Sequence, residues 1–323
     1  MLADHTAAST TGRPIGRGAM VRPPHLNSAA HRRLTIVLFL VIPVATLLVL
    51  NIYPVLQLGY ISLTNFNGIS WGRARFVGWR NFSDLFTRDR DLIAPMVNSL
   101  YYLGGSFVQI ILATWFAVTL NEKLPGSQLF RTILFLPFVL NAVAAALVFR
   151  HLLQLDGTLN NFLEILWGAG IRIPWLDASQ SYTNFSLAAA SVWRFLGFNL
   201  VVTFGALQAI PQDQYDAAKL EGANAWQMFW RITFPSIRLI LFLQVMLSAI
   251  GSLEAFEIPL LITGGAGQTA TFAIEMVQTG FQFRRAGTAA AMAIIMLAIV
   301  ATGFFAMRVL ARGIGAARAA EER

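Results

Sequence analysis

Three charged side chains lie inside long apolar runs of this sequence, where charged residues are rare. They are Arg194, Glu254 and Glu257. A charge within a membrane-spanning segment is costly, and it usually faces a cavity or a partner charge. Glu254 and Glu257 are three residues apart, a spacing that places both on one helical face. Pro259 would also leave a backbone carbonyl one turn earlier without its helical partner.

Such residues offer hydrogen bonds to a polar solute. A carboxylate accepts hydrogen bonds from several hydroxyl groups at once, as recognition of a polyol requires. Arg194, Glu254 and Glu257 are therefore candidates for solute contact. Weaker candidates in the same and neighbouring apolar runs are Phe256, Asn199 and Gln244. The alternative, an ion pair between Arg194 and a glutamate or a position in interfacial water, stays open.

The chain lacks the residues of a catalytic or metal site. Cysteine is absent, which excludes a disulfide, a thiolate nucleophile and a cysteine-ligated metal. Of the four histidines only His151 lies beyond the N-terminal region, and a lone histidine is more typical of a structural role than of a proton relay. A membrane-embedded enzyme would need a cluster of acids, histidines or metal ligands. We predict no catalytic residue, no metal ligand and no enzyme activity.

The composition is that of a membrane protein. Of 323 residues, 56% are hydrophobic and only 12% are charged, against about 25% charged in a typical soluble domain. The net charge of +8 does not indicate nucleic-acid binding, because the basic residues are dispersed among apolar runs.

The apolar stretches predict an all-α protein with six membrane-spanning helices. We expect a flexible cytoplasmic tail over residues 1–33, a transmembrane domain over 34–311 and a cytoplasmic tail over 312–323. Six spans place both termini on one side, and the larger share of Lys and Arg on that side assigns it to the cytoplasm. The individual stretches are 34–53, 92–121, 132–149, 178–212, 239–253 and 286–307.

Two predicted outer connections, 65–95 and 155–180, are rich in tryptophan, including Trp71, Trp167 and Trp175. Tryptophan is enriched at membrane interfaces, so anchoring is the simplest interpretation. Docking of a partner protein is the alternative.

The polar segment 210–235 lies between the fourth and fifth spans. Pro211 can begin a helix, and acidic residues in the first turn suit the helix dipole. Gly222 predicts a turn or a close approach by another backbone. Pro235 predicts a break where the chain re-enters the membrane.

This segment presents two different surfaces. Ala217, Ala218 and Gly222 form a small, flat surface that is suited to the cleft of another protein. The aromatic residues that follow recur at three- and four-residue spacing and suit lipid headgroups. They are Trp226, Phe229 and Trp230.

The spacing of the segment resembles a family motif, Glu-Ala-Ala, three residues, Gly, nine residues, Ile, one residue, Leu-Pro. The matching positions are Asp216, Ala217, Ala218, Gly222, Ile232 and Pro235, with Asp in place of Glu and Phe234 in place of Leu. The motif marks the inner-membrane permeases of binding-protein-dependent ABC importers. The stretches 76–82, 130–137 and 261–265 are similar to the carbohydrate-uptake branch, of the maltose and glycerol-3-phosphate type, although Ala266 stands where proline is common.

The resemblance implies a type I ABC importer permease fold in a bacterial inner membrane. In that family the six matching residues, from Asp216 to Pro235, seat in a cleft of a separate ATPase. The implied partners are a second permease, two copies of an ATP-binding subunit, an extracytoplasmic solute-binding protein and membrane lipid. ATP and magnesium would bind to the ATPase, and this chain would bind no cofactor. Its two lysines, Lys123 and Lys219, do not belong to a phosphate-binding loop. The implied cargo is a sugar, oligosaccharide or polyol.

An ion-coupled secondary transporter is the alternative function. It predicts an internal repeat and interrupted helices in both halves, and the hydropathy pattern shows neither. It also leaves the motif of segment 210–235 without an explanation.

Overall fold

The computed structural model describes residues 29–87, 92–121, 125–168, 170, 172–180 and 182–321. The predicted tail over residues 1–28 therefore lies outside the described residues. Within them the protein is helical, which confirms the all-α prediction, and the isolated bridge between Thr64 and Phe76 is the one β-type pairing found there. The helices are α1 (Ala29–Leu47), α2 (Tyr53–Ser62), α3 (Arg80–Thr87), α4 (Ile93–Asn121), α5 (Ser127–Val139), α6 (Ala142–Leu153), α7 (Thr158–Trp167), α8 (Tyr182–Gln208), α9 (Gln212–Leu220), α10 (Ala225–Met228), α11 (Phe234–Leu253), α12 (Glu257–Thr263), α13 (Phe272–Val277) and α14 (Ala286–Glu321).

In the described ranges, three complete π-helical turns and two complete 3₁₀ turns join these helices. The π turns are Leu48–Ile52, Phe229–Thr233 and Gln278–Gln282, and the 3₁₀ turns are Trp71–Arg73 and Gly267–Thr269. The C-terminal helix α14 continues through the predicted domain boundary at residue 312.

Six helical segments of the described chain are long and apolar enough to cross a membrane, as predicted. They are Thr35–Ser62, Ile93–Asn121, Ala142–Trp167, Tyr182–Gln208, Ala225–Thr263 and Ala286–Ala306, and the shorter apolar helix Ser127–Val139 precedes the third.

The prediction of one uninterrupted span over residues 132–149 is wrong. Helix α5 ends at Val139, Leu140 is extended, and α6 begins after Asn141. The Asn141 side chain accepts a hydrogen bond from the amide of Val143 at 2.8 Å, which satisfies an otherwise free donor of the new helix. Pro137, which has no amide hydrogen, weakens the preceding turn. Hydropathy detects the apolar run but not the cap within it.

The chain divides into two units, residues 1–55 and 56–323. In the first unit every side chain that the structure describes is exposed. In the second unit α8 is the central helix, and it packs on α4, α5, α6, α11 and α12.

Small residues permit this close packing. A β-carbon at Gly197 of α8 would lie 2.0 Å from the carbonyl oxygen of Leu134 in α5. A β-carbon at Gly105 of α4 would lie 3.2 Å from Val192 of α8. Glycines at such crossings let helix backbones approach one another in a membrane.

Candidate functional site

The segment that follows α8 forms a short exposed helix and a tight turn. Helix α9 begins after Pro211 and has Asp213 in its first turn, as the sequence predicts. Asp216 and Ala217 are exposed and Ala218 is half-buried. The Asp216 carboxylate lies 3.9 Å from the Lys219 ammonium, and both side chains are mostly exposed. This ion pair contributes little to stability because water screens it.

Gly222 forms the predicted turn. Its φ angle is +81°, a left-handed conformation that favours glycine. The amide of Gly222 donates to the carbonyl of Lys219 at 3.0 Å, and the amide of Ala223 donates to the carbonyl of Ala218 at 2.9 Å. Apart from the glycine and its two chain neighbours, no described residue has a heavy atom within 4 Å of a β-carbon built at Gly222. The turn is confirmed, and no close approach by another part of the described chain accompanies it.

A capping box begins the next helix. The Asn224 side chain accepts from the amide of Gln227 at 2.9 Å, and the Gln227 side chain accepts from the amide of Asn224 at 2.9 Å. The two reciprocal bonds fix the direction in which the chain leaves the turn.

The predicted break at Pro235 is wrong. Helix α10, the π turn Phe229–Thr233 and α11 follow one another with helical backbone angles throughout, and Pro235 lies in the first turn of α11. A proline removes one backbone donor. The preceding π turn shifts the hydrogen-bonding pattern by one residue at this point, so the helix continues. Ile232 lies half-buried within that π turn.

Tyr215 is a residue of this region that the sequence does not single out. Its hydroxyl lies 2.9 Å from the hydroxyl of Thr233, within hydrogen-bonding distance. The contact joins α9 directly to the π turn that leads into α11. A tyrosine in a short polar helix carries no signal for such a contact, because its partner is 18 residues away.

The predicted aromatic surface is a connected cluster. Trp226 and Trp230 have ring centroids 5.6 Å apart, and Phe229 and Phe234 contact Trp230 at 5.2 and 5.0 Å. Both tryptophans are exposed, as side chains at a headgroup region require.

A second site is a cavity of about 510 Å³ between α4, α8, α11 and the start of α12. All six residues that the sequence offers for solute contact line it. They are Arg194, Asn199, Gln244, Glu254, Phe256 and Glu257.

The two glutamates do not share a helical face, contrary to the prediction. Helix α11 ends at Leu253 and α12 begins at Glu257, so the chain is not helical over residues 254–256. The carbonyl of Ala255, four residues before Pro259, accepts a hydrogen bond from the Thr271 hydroxyl. The carbonyl that Pro259 frees is therefore satisfied by a residue beyond α12.

Arg194 and Glu257 form an ion pair, the alternative that the sequence left open. Arg194 Nη1 lies 2.9 Å from Glu257 Oε2, and the Arg194 side chain is 15% exposed while that of Glu257 is 59% exposed. The Arg194 guanidinium also lies over the Phe195 ring at 5.2 Å. Glu254 is exposed, and the described residues provide no hydrogen bond or ion pair to its carboxylate.

The amide of Gln244 joins two of the spans. Its side chain is buried and donates to the carbonyl of Asn199 at 3.0 Å and to the hydroxyl of Thr203 at 3.1 Å. Gln244 therefore holds α11 against α8 at the cavity wall.

Other polar residues also line the cavity, among them Tyr102 and Gln109 of α4. Tyr102 is 5% exposed, and its buried hydroxyl has no hydrogen-bond partner among the residues that the structure describes. Gln109 carries the same sequence signal as Gln244, an amide within an apolar span. Nothing in the sequence distinguishes Tyr102 from an anchoring tyrosine.

The connection between α6 and α8 is held by polar contacts of its own. Arg172 pairs with Glu164 at 2.9 Å and with Asp156, and the hydrogen bond from Arg172 to Glu164 raises the pKa of the guanidinium above its usual value. The hydroxyl and then the amide of Ser179 donate to Asp177 and lower the pKa of that carboxyl. The ends of the 27-residue helix α8 are about 40 Å apart, so this connection and α9 lie at opposite ends of the bundle.

The tryptophans of the predicted outer connections have different surroundings. The Trp175 indole donates to the buried side chain of Asn160 at 3.0 Å, so it holds the connection together. Trp71 stacks on Phe66 with ring centroids 4.1 Å apart. Trp167 is exposed. His151 is exposed in the last turn of α6. Within the described residues no group of three or more His, Cys, Asp or Glu side chains could hold a metal ion.

Comparisons with known proteins give consistent matches. The family described as "Binding-protein-dependent transport system inner membrane component" matches residues 109–316. The chain is 32% identical to the osmoprotective compounds uptake permease protein GgtC of Synechocystis sp., over 77% of this chain and 88% of that protein. It is 29% identical to the lactose transport system permease protein LacF of Rhizobium radiobacter, over 84% of this chain and 93% of that protein.

The same fold occurs in a solved structure. A chain in the crystal structure of a bacterial alginate ABC transporter, in complex with alginate pentasaccharide-bound periplasmic protein, superposes with a TM-score of 0.76. The match has 21% sequence identity and covers 88% of this chain and 96% of that chain.

Proposed function

This chain belongs to the binding-protein-dependent transport system inner membrane component family, and from that premise we propose how it carries its cargo. It is a permease subunit of an ABC importer for sugars or oligosaccharides, and not an enzyme. In our proposal the cargo passes through the cavity between α4, α8, α11 and α12. Movement of the ATPase reaches that cavity through α9 and the turn at Gly222.

The interruption over residues 254–256 is the observation that carries the proposed path. Non-helical backbone at membrane depth is tolerated where it is buried in protein or lines a water-filled cavity. Here the interruption lines the cavity and presents Glu254, Phe256 and Glu257 to it. A carbohydrate cargo fits the name of one relative, which is a permease of a lactose transport system.

The stretch predicted as the third span, 132–149, is also interrupted, between Val139 and Ala142. Interrupted helices in both halves are what we expect of a secondary transporter. The family and the relatives support the ATP-driven importer over that alternative.

The turn after α9 supports the proposed contact with an ATPase. Ala217 and Gly222 are exposed and small, and the described residues cover neither of them. Asp216 and Ala218 adjoin them in the motif, while Ile232 and Pro235 lie where the segment enters α11. A cleft that receives this turn gains close backbone contact, because Gly222 has no side chain.

The proposed assembly contains a second permease, two copies of an ATP-binding subunit and a solute-binding protein. ATP and magnesium belong to the ATPase. We place both termini and α9 in the cytoplasm, because the segments on that side carry more Lys and Arg. The connection between α6 and α8 then faces outward, at the far end of α8.

The test is affinity purification of the tagged chain in mild detergent, followed by mass spectrometry and an ATPase assay. We expect a second permease and an ATP-binding subunit in the eluate, with ATP hydrolysis that a solute-binding protein and its sugar stimulate. A lone protein that transports in vesicles under an ion gradient without ATP would refute the proposal.

A further inference from the structure

Three charged residues line the cavity, two carboxylates and one guanidinium. We propose that this arrangement selects an uncharged, polyhydroxylated cargo and rejects carboxylated or phosphorylated solutes, with Glu254 as the selecting group. The inference rests on the proposed function, because the cargo must pass through this cavity for its charge to matter.

Arg194 is not free to bind an anion. Its Nη1 is committed to Glu257 Oε2 at 2.9 Å, and only 15% of its side chain is exposed. An anionic cargo that bound Arg194 would have to displace Glu257, and the displaced carboxylate would then repel it. The ion pair of Arg194 and Glu257 therefore contributes almost no net charge to the cavity wall.

Glu254 supplies the remaining charge. Its carboxylate is exposed at the end of α11 and has no ion pair within the described residues. The other lining residues of the cavity are uncharged. The cavity wall therefore has a formal excess of one negative charge, which repels an anion and attracts hydroxyl donors.

Hydrogen bonding favours a solute with hydroxyl groups. The Glu254 carboxylate is exposed and lines the cavity. A hydroxyl group of the cargo can donate a hydrogen bond to it, whereas an ionised carboxylate or phosphate has no hydrogen to donate. Phe195, Phe198 and Phe256 supply apolar surface for the carbon skeleton of the cargo.

The absence of cysteine makes the charge of the cavity measurable. Gly251 lines the cavity, and apart from the local backbone and its chain neighbours no described residue has a heavy atom within 4 Å of a β-carbon built there. Gly251→Cys therefore introduces a thiol into open space. Gly251 and Glu254 are three residues apart, which puts their β-carbons about 5–6 Å apart if the last helical turn is retained.

The experiment uses the complete importer in proteoliposomes and two methanethiosulfonate reagents of similar size. One reagent carries a hydroxyl group and the other a sulfonate. The rate at which each reagent modifies the introduced cysteine is divided by the rate at which the same reagent reacts with a small free thiol. The importer with the unaltered chain measures any reaction of the partner subunits, which is subtracted.

We expect the hydroxyl reagent to modify Gly251→Cys on the order of tenfold faster than the sulfonate, because of the nearby uncompensated charge. Adding Glu254→Gln should bring the ratio close to one. Glu164→Gln removes a carboxylate of α7 that does not line the cavity, and it should leave the ratio unchanged.

A ratio near one with Glu254 in place, or a ratio that persists in Glu254→Gln, would overturn the proposed selection while leaving the path intact. A thiol that reacts with neither reagent in any nucleotide state would instead refute the path, and the selection with it. The ratio of the two modification rates in Gly251→Cys, with Glu254 present, can refute the proposed selection by itself. The test therefore remains valid if Glu254→Gln is poorly expressed.

Discussion

Gly222→Arg should leave the protein inserted in the membrane and prevent its association with the ATPase. A residue with a β-carbon adopts the φ angle of +81° found at Gly222 at a free-energy cost of roughly 1–2 kcal/mol. The free turn can relax into another conformation, but the docked turn must return to the left-handed one. The cost therefore falls on docking rather than on folding.

The arginine side chain adds a second cost in the docked state. Among the described residues the substituted side chain meets open space, because only the chain neighbours of Gly222 have heavy atoms within 4 Å of the β-carbon. In a cleft fitted to glycine the side chain overpacks the contact, at about 1–3 kcal/mol. Together the two costs weaken association roughly 30- to 3000-fold. Gly222→Ala bears mainly the backbone cost and should weaken it only about 5- to 30-fold.

The assay compares the ATPase recovered per tagged permease at several detergent dilutions, with size-exclusion chromatography to verify folding. Gly264→Arg is the matched control, since Gly264 is exposed, has a φ angle of +71° and has no heavy atom within 4 Å of a β-carbon. It lies after α12, away from α9, and should retain the ATPase. Full recovery with Gly222→Arg would refute the docking argument, and equal loss in both variants would show that a left-handed arginine disturbs the permease in general.

Three further substitutions test contacts of the described chain. Tyr215→Phe removes the hydrogen bond to Thr233, and we expect an intact complex whose ATPase stimulation by the binding protein falls a few-fold; unchanged stimulation would count against a role for this contact in coupling. Gly197→Ala places a β-carbon 2.0 Å from a carbonyl oxygen of α5 and should cost about 1–3 kcal/mol, seen as a lower melting temperature in detergent, whereas Gly104→Ala, with no atom within 4 Å, should not lower it. Thr271→Val leaves the carbonyl freed by Pro259 without its donor and should destabilise the protein by about 1–3 kcal/mol, while Thr271→Ser should restore a melting temperature close to that of the parent.

Sequence patterns predict this fold well where one segment decides the outcome. The number of spans follows from apolar length alone, and the turn at Gly222 follows from the conformational freedom of glycine. Helix α9 begins where Pro211 and the acidic first turn place it. These are local effects, so they are visible in a single sequence.

The wrong predictions arise where a contact or turn elsewhere in the chain overrides a local sequence pattern. Pro235 predicts a break, but a π turn supplies the change in hydrogen bonding that the proline needs. The spacing of Glu254 and Glu257 predicts one helical face, but Thr271 stabilises a non-helical stretch between them. Periodicity cannot detect such a donor, since it lies beyond the next helix.

The cavity was predictable in its residues but not in its geometry. Charges and amides within apolar runs identify five of the six predicted contacts, and the sixth, Phe256, lies between the two glutamates; all six line the cavity. The choice of Glu257 rather than Glu254 as the partner of Arg194 depends on how α8 packs against α12. That packing is a property of the folded chain, and whether these residues touch cargo stays a prediction.

The π turn at Phe229–Thr233 also sets the rotational phase of the fifth span. One added residue rotates everything beyond it by about 100° around the helix axis. The aromatic cluster at the turn and the cavity-lining residues after it can therefore face different directions along one continuous helix. Deleting a single residue from the turn would keep the helix continuous yet point Gln244 and Gly251 away from the cavity, so the length of this segment is as constrained as its composition.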